Sequence, residues 1–133
     1  MKLLLDTDVI SDFVRGVAPV RLSLLACPPT DIAVSTITSM EIEYGLARNP
    51  ERARRIAAMV RSLLDSVSIL PFTEEDAAEC GRIRAELESE GHPIGLCDAM
   101  IAGTARSRAL TVITHNVSEF SRVTGLRVRN WHT

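Results

Sequence analysis

Short apolar runs and amphipathic stretches alternate along this chain. Leu3, Leu4 and Leu5 form a continuous apolar run that stops at Asp6, Thr7 and Asp8. That pattern fits a strand covered on both faces, as at the centre of a parallel sheet. Val9, Ile10, Phe13 and Val14 then share one face at helical spacing, with Asp8 as the expected N-cap, until Gly16 and Pro19 break the segment. Val20, Leu22, Leu24 and Leu25 predict a second short helix, stopped by Pro28 and Pro29. Residues 31–35 read as another strand. Thr38 with Glu41 three residues later has capping-box spacing, for a helix to about Ala47 with Met40, Tyr44 and Ala47 on one face.

The clearest helix follows Asn49, an N-cap with Pro50 behind it. Ile56, Met59, Val60, Leu63, Leu64 and Val67 repeat at i, i+3, i+4 and i+7, while Arg52, Arg54, Arg55 and Arg61 fall on the outer face, read as a wet one. Ser68, Ile69 and Leu70 make a third strand, closed by Pro71. Thr73 and the acids after it open a long helix with Ala77, Cys80, Ile83, Arg84 and Leu87 as its inner stripe. Gly91 to Gly95 is a loop. Residues 96–105 form a helix that is apolar nearly all round except at Asp98, and therefore buried. Residues 110–114 are a β-branched strand, His115 and Asn116 a turn, and Leu126, Arg127 and Val128 a last edge strand. Alternating strands and helices imply a mainly parallel sheet with helices on both faces.

Composition narrows the class. The 133 residues suffice for one domain, 1–133, with a single core. With 46% apolar and 24% charged residues the chain is globular, and nothing in it is long and apolar enough to span a membrane. The apolar start is too short for a secretory signal, so a cytoplasmic location is expected. Cys27, Cys80 and Cys97 contain no C-x-x-C pair, which suits free thiols rather than a disulfide framework or a zinc site. His92, His115 and His132 lack metal-ligand spacing and read as solvated loop residues. A net charge of −2 does not advertise a nucleic-acid binder.

Four residues stand out: Asp6, Glu41, Asp98 and Asn116. Each lies just past a buried strand or inside an apolar helix start. Each also has a plain structural reading: Asp6 as a helix cap, Glu41 as half of a capping box, Asp98 as an acid in a first helical turn, and Asn116 as a turn residue. Together they suggest one crevice. Gathered carboxylates cost desolvation and repel one another, and a divalent cation relieves both. Oxygen donors without a His or Cys cluster point to Mg²⁺ or Mn²⁺. Around them, Thr7, Asp8, Thr38, Thr114 and Glu119 are candidates for supporting the ligands.

The segments LLLDTDVIS, TITSMEIEYG, IGLCDAMIAGTA and VITHNVSEFSRVTGLRVRNW, in this order and spacing, resemble PIN-domain ribonucleases, specifically the VapC-type toxins of bacterial toxin–antitoxin pairs. The resemblance implies a three-layer α/β/α PIN-like domain with a small, mainly parallel central sheet. It implies Mg²⁺- or Mn²⁺-dependent cleavage of RNA, with tRNA or another structured RNA among the candidate substrates. It also implies a homodimer, and a heterocomplex with a cognate antitoxin. By that resemblance Asp6 and Asp98 match the principal metal-binding acids and Glu41 the second acid. Asn116 stands where many members carry a fourth acid, a departure that Glu119 could offset. The Val9–Ala26 region is expected to help form an antitoxin groove.

Two rival readings remain at this level. LLLDTDVI also resembles the D-x-D strand of haloacid-dehalogenase-like phosphatases, where an aspartate attacks phosphorus. Those enzymes need a lysine downstream, and Lys2, the only lysine, precedes the motif. The other rival is a non-catalytic PIN-like scaffold that binds RNA or protein, kept open by Asn116.

Overall fold

The structure is a computed structural model and describes residues 1–132. Strands β1 (Leu3–Leu5), β2 (Ile32–Ser35), β3 (Ser68–Leu70), β4 (Thr111–Ile113) and β5 (Arg127–Arg129) form one sheet in the order β3-β2-β1-β4-β5. Every pairing is parallel. The helices are α1 (Thr7–Val14), α2 (Ala18–Leu25), α3 (Thr36–Arg48), α4 (Pro50–Ser66), α5 (Glu74–Ser89), α6 (Leu96–Ser107) and α7 (Val117–Phe120). No helix among the described residues is long and apolar enough to cross a membrane.

The pleat of the strands divides the core. Leu3, Leu5, Ile32 and Val34 pack with Val9 and Ile10 of α1, Val20 and Leu24 of α2, and Val60 and Leu63 of α4. Leu4, Ala33 and Val112 pack with Ile83 and Leu87 of α5 and Ile101, Ala102 and Ala105 of α6. The leucine run of β1 is therefore covered from both sides, as its lack of alternation predicts.

Expectations for three of the helices change on folding. Asp6, not Asp8, caps α1. The Thr38–Glu41 capping box does not form, because β2 passes straight into α3 and the Ser35 hydroxyl accepts the Ile37 N–H at 3.0 Å. Met40 and Tyr44 face solvent, while Thr38 and Ile42 turn inward. On α5 the buried stripe begins at Asp76, and Ala77 and Arg84 are exposed.

Asp76 joins the two helices of the second layer. It forms a capping box with Thr73 and accepts Arg108 Nη2–H at 2.9 Å and the Ser107 hydroxyl. Burial works to raise its carboxyl, but these donors outweigh it and hold the group below the usual range. Removing Asp76 loses these charge-assisted bonds and the capping box together, while Arg108 stays partly exposed, at a cost of about 2 kcal/mol. Asp76→Ala is accordingly expected to lower the unfolding free energy obtained from urea titration by that amount. Because the folded pKa is depressed, Asp76 stabilises the fold above its unfolded pKa and loses this contribution as pH falls through the folded one. A wild-type advantage over Asp76→Ala that persists undiminished in strong acid would refute this account.

Candidate active site

The carboxyl ends of β1 and β4 open onto a switch point. The chain lays β2 and β3 on one side of β1, then returns to lay β4 and β5 on the other. Crevices at such points are where α/β sheets receive ligands.

Asp6 is the first residue beyond β1, and its own N–H donates to Ile113 O at 2.9 Å. Its carboxylate accepts the Thr7 N–H at 2.7 Å and the Thr114 hydroxyl at 2.8 Å. The Asn116 N–H donates to the same Thr114 hydroxyl at 2.9 Å, tying the end of β4 to the end of β1. Asp6 is only 6% exposed. Burial first, and then the charge of Asp8, push its carboxyl up to about 7; Asp98 adds to this, and the Thr114 and Thr7 bonds oppose it. Asp6 thus caps α1 and is at the same time buried at the mouth of the crevice, so capping does not exclude a place in a site.

Asp98 sits in the first turn of α6, behind Gly95, which offers no side-chain cap. Burial, then Glu119 against it, then Glu41 and Asp8 push its carboxyl up to about 6. Asn116 Nδ2–H donates to Glu119 Oε2 at 3.0 Å and reaches Asp98 Oδ2 at 3.5 Å. The amide therefore stands between two carboxylates as a neutral donor and draws Glu119 into the site. Glu41, on α3, accepts the Thr7 hydroxyl at 2.6 Å; the same hydroxyl lies 3.4 Å from Thr38 Oγ1. Thr7 and Thr38 thus fix Glu41 rather than cap a helix.

Asp8 lies one step aside. Its Oδ2 accepts the His115 N–H at 3.3 Å, and its Oδ1 is buried without a partner among the described residues. Beside it, His132 is not the solvated residue its sequence context suggests. Its Nε2 meets Asp12 Oδ2, and its ring lies 4.1 Å from that of His115. Asp12 is buried and paired with Arg15 as well. Nothing in the local pattern announces this contact, because Asp12 and His132 lie at opposite ends of the chain.

The donor set is all oxygen. Among the described residues no salt bridge reaches Asp6, Glu41 or Asp98. Nor do any three His, Cys, Asp or Glu side chains among them already stand as a metal-holding group. The acids fit a hard cation by their chemistry, since crowded carboxylates gain from a divalent charge, Asp6 and Asp98 with their raised carboxyls most of all. They do not fit it as a preformed cage. Lys2, by contrast, lies at the opposite end of β1, in a cavity with Arg127 and Arg129. It cannot serve a phosphate at Asp6, which removes the dehalogenase-like reading.

The fold and site define a parallel three-layer α/β/α domain with carboxylates gathered at its switch point. The PIN domain family matches residues 3–126. The tRNA(fMet)-specific endonuclease VapC of Shigella flexneri is 34% identical over 131 residues, 98% of each chain. The DNA-bound VapBC crystal structure from Salmonella typhimurium superposes with a TM-score of 0.89 at 34% identity, covering 98% of both chains. A toxin–antitoxin complex from Klebsiella pneumoniae gives a TM-score of 0.76 at 28% identity, again over 98% of both chains. The chain belongs to the PIN-domain family, and it is a homologue of the VapC ribonucleases over nearly its whole length.

Proposed function

We propose that this chain is the endoribonuclease toxin of a toxin–antitoxin pair, cutting RNA phosphodiester bonds at the crevice formed by Asp6, Glu41 and Asp98. The observation that carries this reading is the convergence of these acids, from three separate elements, at the switch point, with no cation of the protein paired to them. Asp6 and Asp98 would hold Mg²⁺ or Mn²⁺, with Glu41 completing the site or orienting the attacking water. When bound, the divalent ion supplies Lewis acidity and positive charge where negative charge grows on the phosphate. Thr114 keeps Asp6 aimed, Thr7 and Thr38 keep Glu41 aimed, and Asn116 holds Glu119 against Asp98. Glu119 then supplies the charge that the amide at position 116 lacks. Asp8 supports the loop at His115 rather than capping α1.

The partner reading follows from the apolar side of the molecule. A cavity of about 440 Å³ between α2 and α4 is lined by Phe13, Leu24, Leu25, Met59 and Leu63, among others. Leu25 is 75% exposed beside it. An apolar segment of the antitoxin fits this groove, which includes the end of the Val9–Ala26 region. Exposed Met40 and Tyr44, one turn apart on α3, support a homodimer. Free thiols at Cys27, Cys80 and Cys97 suit a cytoplasmic protein.

The test is cleavage of total RNA, and of tRNA separately, by antitoxin-free protein with Mg²⁺ or Mn²⁺ and with EDTA. Discrete products that need the ion and disappear in Asp98→Asn are expected. Cleavage that persists in EDTA or in Asp98→Asn would refute the metal-site reading. Metal binding without cleavage of any RNA would favour the scaffold.

A further inference from the structure

Arg52 is out of place for a helix. Asn49 caps α4 by accepting the Arg52 N–H at 3.1 Å, so Arg52 occupies the third helical position. A capping box wants Glu or Gln there, and the helix dipole disfavours a cation in the first turn. Arg54, Arg55 and Arg61 are exposed, whereas Arg52 is half-buried. Its guanidinium has no ion-pair or hydrogen-bond partner among the described residues, although acids surround it. It lines a cleft with Thr7, Ser11, Glu41 and Gly45 on one side. On the other side it lines a crevice of about 540 Å³ with Asp8, Ser11, Asp12, Arg15 and His115.

Gly45 adds an independent observation. It lies one turn beyond Glu41 on the same helix, and a Cβ built there would meet nothing within 4 Å. Glycine inside a helix is destabilising relative to alanine, and close packing is the usual reason to keep it. Here no packing requires it. Its bare backbone lines the same small cleft, about 60 Å³, as Glu41 and Arg52.

We infer that Arg52 is a substrate-positioning residue that grips an RNA backbone phosphate next to the scissile one, with the strand passing over Gly45 between Arg52 and Glu41. This rests on the ribonuclease reading of the site. An acidic crevice repels RNA, and an unpaired guanidinium at its rim supplies both attraction and a bidentate fork for phosphate. Arg52 touches no reacting atom; it sets where the strand lies. Lysine would keep the charge and lose the fork.

Binding is measured by anisotropy with fluorescein-labelled bulk tRNA, in an Asp98→Asn background so that no cleavage intervenes. Arg52→Ala is expected to weaken binding about tenfold and to reduce the slope of log K against log salt by about one phosphate contact. Arg52→Lys recovers the salt slope but only part of the affinity. In the cleaving protein, Arg52→Ala raises KM far more than it lowers kcat. Gly45→Leu raises the melting temperature yet weakens RNA binding, an opposition that a purely structural role cannot produce. The Mg²⁺-induced thermal shift stays unchanged in Arg52→Ala. Unchanged affinity and salt slope in Arg52→Ala, beside a wild type that cuts RNA, would overturn the inference alone. A wild type that neither binds nor cuts RNA would overturn it together with the ribonuclease reading.

Discussion

Asp6→Asn is expected to abolish RNA cleavage and, at the same time, to make the metal-free protein more stable. The loss of activity should be on the order of a thousandfold or more, because an ion that is lost or misplaced removes several kcal/mol of transition-state stabilisation. The gain in stability has a separate origin. Ionising Asp6 in the folded protein is unfavourable: burial, Asp8 and Asp98 push its carboxyl up to about 7 from its ordinary 3.8. The pKa is raised on folding, so the associated stability is fully present below the unfolded pKa and is lost as pH rises through about 7. Asp98, pushed up to about 6, acts in the same direction.

In EDTA the wild type should therefore lose stability between about pH 4 and pH 7 and be flat above that. Asp6→Asn should be flatter there and more stable at the upper end by about 2 kcal/mol. Asp12 and Asp76 do not interfere, because their depressed pKa values place their contributions at the acid end. Adding Mg²⁺ should reverse the order, stabilising the wild type at high pH and leaving Asp6→Asn nearly unmoved. Urea midpoints in EDTA and in Mg²⁺ across this pH range measure all of this. An Asp6→Asn protein that is less stable than wild type in EDTA at the upper end would show that the Thr7 and Thr114 bonds outweigh the cost of the charge.

The parts of the fold that sequence makes legible are those set by neighbours along the chain. The leucine run of β1, the i, i+3, i+4 stripe of α4 and the acid-rich start of α5 each encode their element locally. Asp6 and Asp98 are legible for the same reason, being acids that interrupt apolar stretches. What escapes is set by contacts across the chain. Thr38 and Glu41 have the spacing of a capping box, but β2 runs directly into α3 and leaves Ser35 as the cap, which frees both for the site. His132 reads as a solvated tail residue because Asp12 is far away in sequence. Ala77 lies on the apolar side of α5 by period, yet Asp76 is buried in its place because Arg108 and Ser107 reach it. Arg52 reads as one more exposed arginine on a wet face. Its sequence clue, a cation three residues after the Asn49 cap, is present in the pattern, but that its guanidinium goes without a partner shows only in the folded chain.

Gly103→Ala is expected to cost about 2 kcal/mol, and Gly103→Val to prevent stable folding. A Cβ at Gly103 would lie 2.8 Å from Cys80 N, 2.9 Å from Asp76 O and 3.0 Å from Cys80 Cα. These are backbone atoms of α5, with no flexible side-chain end to yield, so α6 must move away from α5. Overpacking of this kind costs about 1–3 kcal/mol, only partly offset by the better helix propensity of alanine. For valine the clash grows and β-branching adds to it, which exceeds what a domain with about 5–15 kcal/mol of stability tolerates together with lost packing. The function should suffer more than the fold. Asp98 lies five residues earlier on α6, about 7.5 Å along its axis, so a displaced helix carries it away from Asp6. Gly103→Ala should then lose more cleavage, and more Mg²⁺-induced thermal shift, than its fraction folded explains. Gly45→Ala is the control, because the same change in the open space on α3 should raise the melting temperature through propensity alone. If both glycines responded with the same sign, the close approach of α5 and α6 would not be what fixes Gly103, and the position of Asp98 would have to be set by the loop before α6 instead.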